Sequence, residues 1–164
     1  MTPLFKYFKN SKTISIDQFL ENALYDKHSG YYTGRNPFGK NGDFITSPEI
    51  TPLFSELIGL WIISLWEHMN KPKVFNLVEL GPGNGKMCKT LLDVFKKFPV
   101  FLNAVNIFLY EKSTKLKNLQ NKNLTNKKIK WIKNFNKIKK GPVIFLGNEF
   151  FDALPIKQFK KINN

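Results

Sequence analysis

Four short strand-length runs constrain this chain more than any other feature. "KVFNLVEL" (Lys73–Leu80), "NAVNIFLYE" (Asn103–Glu111), "KKIKWIKNF" (Lys127–Phe135) and "GPVIFLGNEF" (Gly141–Phe150) each have the length of a strand. Helix-length segments separate the first three. "NGKMCKTLLDVFKKF" places Met87, Leu91, Leu92 and Phe95 on one helical face, and "STKLKNLQNKN" is a polar helix with Ser113 or Thr114 as its cap. Strands that are apolar on both faces need cover on both sides. The pattern therefore predicts an α/β fold of βαβ units around a parallel sheet. Ligands in such sheets bind at the carboxyl ends of the strands, near the point where the strand order reverses.

The residues before Lys73 differ in texture, which suggests an N-terminal helical and loop region over 1–72 and a second region over 73–164. "SIDQFLENALYD" reads as a helix capped by Ser15, with Phe19, Leu20, Ala23 and Leu24 inward. "HSGYYTGRNPFGKNGDFITSPEI" has no period and reads as a long loop of the kind that binds ligands. Ser47-Pro48 and Thr51-Pro52 each have the form of an N-cap followed by proline. The second leads into "LIGLWIISLW", a run far short of the roughly 20 residues that span a bilayer. It predicts a buried helix ending near Met69, with Trp61 and Trp66 on its inner face. Only "KQFKKINN" closely follows the fourth strand, so the reading at this point is a sheet cut short, with an exposed edge and an uncovered apolar face.

Composition narrows the function classes. A single cysteine, Cys88, excludes an internal disulfide and a cysteine metal cluster, and it suits a reducing compartment. His28 and His68 have no metal-ligand spacing, so no metal is expected. The net charge of +14 invites a nucleic-acid reading, and no acid interrupts the lysines between Glu111 and Glu149. Arg35, however, is the only arginine, and base and phosphate readers favour its bidentate fork. A solvated basic face is the better reading, with no specific nucleic acid as partner. No secretory signal or transmembrane segment is legible, which points to the cytoplasm.

The first strand runs into "ELGPGNGK", with Gly81, Gly83 and Gly85 in five positions and Glu79 just ahead. Bare backbone there lets a ligand approach the main chain. A nicotinamide fingerprint would be one residue looser, and a phosphate loop would need G-x-x-x-x-G-K-S/T, which is absent. An acid beside the loop disfavours a pyrophosphate and favours a cation. S-adenosylmethionine is cationic, carrying an ammonium and a sulfonium and no phosphate. Glu111, at the tip of the second strand, can accept both hydroxyls of a ribose, a role common to nicotinamide and S-adenosylmethionine sites. The competing readings are a plain strand-to-helix turn for the glycines, a surface ion pair for Glu79, and a helix N-terminal acid for Glu111.

Taken together, "GDFITSPEITPLFSELIGLW", "VELGPGNGK" and "GNEFFDALPIKQF", with "SIDQFLENALYDKHSGYYTG" ahead of them, resemble the MidA-like class I S-adenosylmethionine-dependent methyltransferases. That family takes in a mitochondrial protein arginine methyltransferase linked to respiratory complex I assembly. The resemblance implies a Rossmann-like methyltransferase fold, here with its first half over 73–164. It implies S-adenosylmethionine at Glu79, Gly81, Gly83, Gly85 and Glu111, with the Gly42, Asp43, Phe44 loop beside it. It places Asn148, Glu149 and Asp152 near the transferring methyl, with Phe150 or Phe151 walling the cation. It also implies a protein substrate, such as a complex I subunit, and a mitochondrial matrix location in a eukaryote. Asn84, Lys86 and Ser55 depart from the family pattern. A non-catalytic assembly factor that keeps the cofactor fold is the alternative, with a nicotinamide oxidoreductase and a nucleic-acid methyltransferase behind it.

Overall fold

The computed structural model describes residues 13–34 and 42–162. The N-terminal stretch 1–12 and the middle of the expected long loop, 35–41, lie outside the described residues. The chain divides into two compact units, one made of 1–37 with 149–164 and the other of 38–148.

The larger unit is built on a four-stranded parallel sheet of order β3-β2-β1-β4. Its strands are β1 (Phe75–Leu80), β2 (Val105–Tyr110), β3 (Ile129–Ile132) and β4 (Val143–Leu146). The order reverses between β1 and β4, so the carboxyl end of β1 lies at the switch point. All six residues of β1 are buried. The expected α/β class and all four strands are present. On one face of β4, Val143 and Phe145 are 40% and 46% exposed.

Strand side chains alternate between faces. Phe75 and Leu77 of β1 and Val105, Ile107 and Leu109 of β2 join the main apolar cluster. Against them pack α4 (Pro52–His68), α5 (Lys86–Lys96) and α6 (Pro99–Ala104). Phe101 is the hub: its ring meets Phe95 at 4.8 Å, Trp66 at 5.3 Å and Phe75 at 5.8 Å, all edge-on. Each such fully buried ring contributes about 2–3 kcal/mol by area. The helix α5 buries Met87, Leu91, Leu92 and Phe95 as its spacing predicts, with Cys88 beside them.

The helix α4 corrects the sequence reading. Thr51 caps it, accepting from Leu53 N at 3.3 Å, and it ends at His68, whose Nδ1 lies 2.7 Å from Ser64 O. Its buried face is Ser55, Gly59, Ile62, Ile63 and Trp66, while Trp61 is 52% exposed rather than inward. Small residues decide this. A Cβ on Gly59 would stand 3.2 Å from Val94 Cγ1 and 3.3 Å from Leu91 Cδ2, so the side without bulk lies against α5.

The smaller unit contains α1 (Ile16–Tyr25) and α2 (Tyr31–Gly34). Ser15 stands at the N-cap of α1 but makes no side-chain cap bond, and no residue of α1 is buried. Tyr32 stacks on Tyr25 at 5.7 Å and meets Tyr31 edge-on at 5.1 Å, a packing role for "GYYTG". The expected loop also holds α3 (Ser47–Ile50), which begins at Ser47 with Thr46, not Ser47, at the N-cap. Among the described residues, no helix is long and apolar enough to cross a membrane.

Candidate functional site

The strand β1 ends at Leu80 and the backbone turns at once through Gly81, Gly83 and Gly85, at φ of 61°, 55° and 84°. Gly81 N donates to Tyr110 O at 3.0 Å, fixing the loop to the tip of β2. Gly85 caps α5 in the left-handed conformation, and a Cβ there would sit 2.9 Å from Leu124 Cδ1. The glycines thus shape a loop that opens directly onto the N-terminus of α5.

Glu79 lies on the same face of β1 as Phe75 and Leu77, the face that carries α5. It is 3% exposed, and its Oε2 is buried with no hydrogen-bond partner. Burial alone pushes its carboxyl up to about 8. Burial also raises the Cys88 thiol, and the charge of Glu79 adds to the effect. The surface ion-pair reading of Glu79 therefore fails. A buried carboxyl with an unpaired oxygen costs free energy unless something supplies the partner.

Glu111 follows β2 at its tip. Its Oε1 accepts from Ser113 N at 2.7 Å and its Oε2 from Gln120 Nε2 at 3.2 Å. Burial raises its carboxyl, and these hydrogen bonds oppose that rise. Glu111 stands two residues ahead of Ser113, the N-cap of helix α7 (Thr114–Asn123), and Ser113 caps it by accepting from Leu116 N at 3.3 Å. Holding the start of the helix does not exhaust Glu111, because an ionised carboxylate has about four acceptor positions.

Four contacts were not legible in the sequence. Asn84 Nδ2 donates to Glu49 Oε1, and Lys86 Nζ donates to Glu49 O at 3.1 Å, so α3 is tied to the glycine loop. Asn123 Nδ2 donates to Asn84 O at 3.0 Å. Gln120 donates to Gly83 O at 2.8 Å. Only the departure of Asn84 and Lys86 from the family pattern hinted at any of these.

Gly42, Asp43 and Phe44 stand just before α3 in the larger unit, with Asp43 and Phe44 exposed. Asn148 lies two residues beyond Leu146, which pairs with Glu79 in the sheet register. Glu149 and Asp152 belong to the smaller unit and are exposed. Glu149 has φ 49°, uncommon for a residue with a Cβ. Asp152 sits in the short turn Phe151–Ala153, which Tyr25 pins by donating to Ala153 O at 2.7 Å.

Residues 57–164 match the family model described as "Putative S-adenosyl-L-methionine-dependent methyltransferase". The chain belongs to this family. Its similarity to curated members extends further. It is 35% identical over 180 residues to the Xenopus laevis protein named "Protein arginine methyltransferase NDUFAF7, mitochondrial", covering 95% of this chain and 41% of that protein. The human protein of the same name is 33% identical over 189 residues, covering 98% and 43%. Among solved structures, a Burkholderia thailandensis protein described as a "likely methyl transferase" and bound to S-adenosyl-homocysteine superposes with a TM-score of 0.77 at 25% identity, covering 93% of this chain and 41% of that one. The chain thus spans about two fifths of the length of the relatives it matches.

Proposed function

We propose that this chain provides the methyl-donor site of an S-adenosylmethionine-dependent protein methyltransferase. One observation carries the reading: Glu79 Oε2, sealed directly behind a glycine loop and lacking any partner. A pyrophosphate would require Glu79 to remain protonated. A cation beside it supplies the missing partner and lets the carboxyl ionise, since an opposite charge favours the charged form. The glycine loop gives the close main-chain approach, and the remaining lone pairs of Glu111 suit a ribose diol.

When bound, S-adenosylmethionine supplies an electrophilic methyl on a sulfonium, and transfer to nitrogen is an in-line displacement governed by alignment and desolvation. The protein's part is to hold and to orient. Glu79 and the loop 81–85 hold the donor, and Glu111 fixes its ribose. The Gly42, Asp43, Phe44 segment supports the donor from the side of α3. Asn148, Glu149 and Asp152 orient the incoming nitrogen and hold positive charge as it shifts there. Support for Glu149 comes from its left-handed backbone, a conformation that clusters at functional positions.

The substrate is a protein and its target an arginine, a reading supported by the names of the relatives. A subunit of respiratory complex I, met in the mitochondrial matrix in a eukaryote or the cytoplasm in a bacterium, is the narrower proposal. Incubating the protein with methyl-labelled S-adenosylmethionine and candidate subunits, then mapping the label by mass spectrometry, tests it. Labelled arginine that disappears with Glu149→Gln and Asp152→Asn is expected. Tight donor binding with no transfer to any subunit would favour the non-catalytic assembly factor.

A further inference from the structure

Gln120 is fully buried, on the face of a mostly polar helix that also buries Leu116. A buried primary amide is costly unless its groups are paired, and both of its protons are paired here. Nε2 donates to Gly83 O at 2.8 Å and to Glu111 Oε2 at 3.2 Å, while Oε1 accepts from Trp131 Nε1 at 2.9 Å. The orientation of the amide is dictated by these partners. A flipped amide would face two acceptors with its oxygen and an indole N–H with its own N–H groups.

We propose that Gln120 is a positioning residue that sets the separation between the glycine loop and the Glu111 carboxylate, and through it the grip on a donor nucleoside. This inference rests on the methyl-donor reading above. Gly83 and Glu111 belong to successive βα turns, and one planar amide bridges them. The same helix reinforces the bridge: one turn on, Asn123 holds Asn84 O, and Leu124 packs where a Cβ of Gly85 would stand. Gln120 touches no reacting atom. It acts by occupying one acceptor position of Glu111 Oε2, so that the remaining lone pairs have a fixed direction, and by holding the Gly83 peptide in place.

The test uses Gln120→Met, which keeps the volume and removes every hydrogen bond, with S-adenosyl-homocysteine as probe in calorimetric titration. Affinity should fall roughly ten- to a hundred-fold, the range for loss of hydrogen bonds to a charged group. Because the bridge works by joining the two turns, Gln120→Met should add clearly less than its full effect to the loss already caused by Glu111→Gln. Carbon NMR of the Glu111 carboxyl should show its titration moving up in Gln120→Met, a change that a purely structural residue would not produce. Should Gln120→Met fail to fold, Gln120→Asn carries the same test, keeping an uncharged amide while falling one methylene short of Gly83 O and Glu111 Oε2. A folded variant that binds within twofold of the parent, or whose loss adds fully to that of Glu111→Gln, overturns the proposal. If the parent chain itself binds no S-adenosyl-homocysteine, the donor reading fails first and this inference falls with it.

Discussion

Asn84 Nδ2 donates to Glu49 Oε1, joining the glycine loop to a helical turn 35 positions upstream. Neither residue belongs to the sheet, so the loop takes its shape partly from α3 and α7. Asn84→Ala should cost about 1.5 kcal/mol, the lower end for a hydrogen bond to a charged group. In urea denaturation, Glu49→Ala combined with Asn84→Ala should cost clearly less than the sum of the two. Strict additivity would show that the contact does not contribute in solution.

Gly85 is the glycine whose replacement the fold resists most plainly. At φ 84° a side chain is strained, and its Cβ would press on Leu124 Cδ1 at 2.9 Å. Gly85→Ala is expected to destabilise by roughly 1–3 kcal/mol, the range for a residue held in a sparsely populated backbone region. A thermal melt within a degree of the parent would contradict it.

Stability should depend on pH through Glu79. Its carboxyl titrates ordinarily near 4.5, and burial in the folded chain pushes it up to about 8. Between those values the folded chain binds the proton that the unfolded chain has released. Stability supplied by the protonated group is complete below about 4.5, is lost as pH rises toward about 8, and levels off above it. The steepest slope is about 1.4 kcal/mol per pH unit for one group. Glu79→Gln should flatten that slope and make the ligand-free chain more stable than the parent at pH 8. Parallel pH profiles for the two, from chemical denaturation, would contradict the burial of the charge.

The two tryptophans of α4 should behave oppositely. Trp66 is 3% exposed, meets Phe101 edge-on and donates to Pro72 O at 2.9 Å, whereas Trp61 is half exposed. Trp66→Ala is expected to cost about 3–5 kcal/mol, while Trp61→Gln should stay within about 0.5 kcal/mol. Equal losses would show that the outer face of α4 is covered in solution.

That contrast also marks how far the sequence could be read. The strands, the glycine loop and the inward face of α5 follow from periodicity and from the conformations open only to glycine, and these features were legible. The sequence cannot place Trp61 because α4 is apolar nearly all round, and its contact face is chosen by the lack of bulk at Ser55 and Gly59, not by hydrophobicity. The helix α6 went unassigned because "PVFLNA" is short and lies between two stronger signals. Gln120 was hidden for a different reason. Gln120 shares a helical face with the buried Leu116 and Leu124, but its polar type reads as a solvated residue until β3 brings Trp131 and the glycine loop brings Gly83 to it. Glu79 was recognised as an acid beside the loop, but its complete burial appears only once α5 covers that face of β1.

Crystals of the protein soaked with S-adenosyl-homocysteine test the central claim most directly. The expected result is the ligand lying over the loop 81–85, with its ammonium group on the Glu79 side and its ribose hydroxyls within hydrogen-bond reach of Glu111. A ligand bound elsewhere, or a dinucleotide pyrophosphate seated on the same loop while S-adenosyl-homocysteine is excluded, would contradict it.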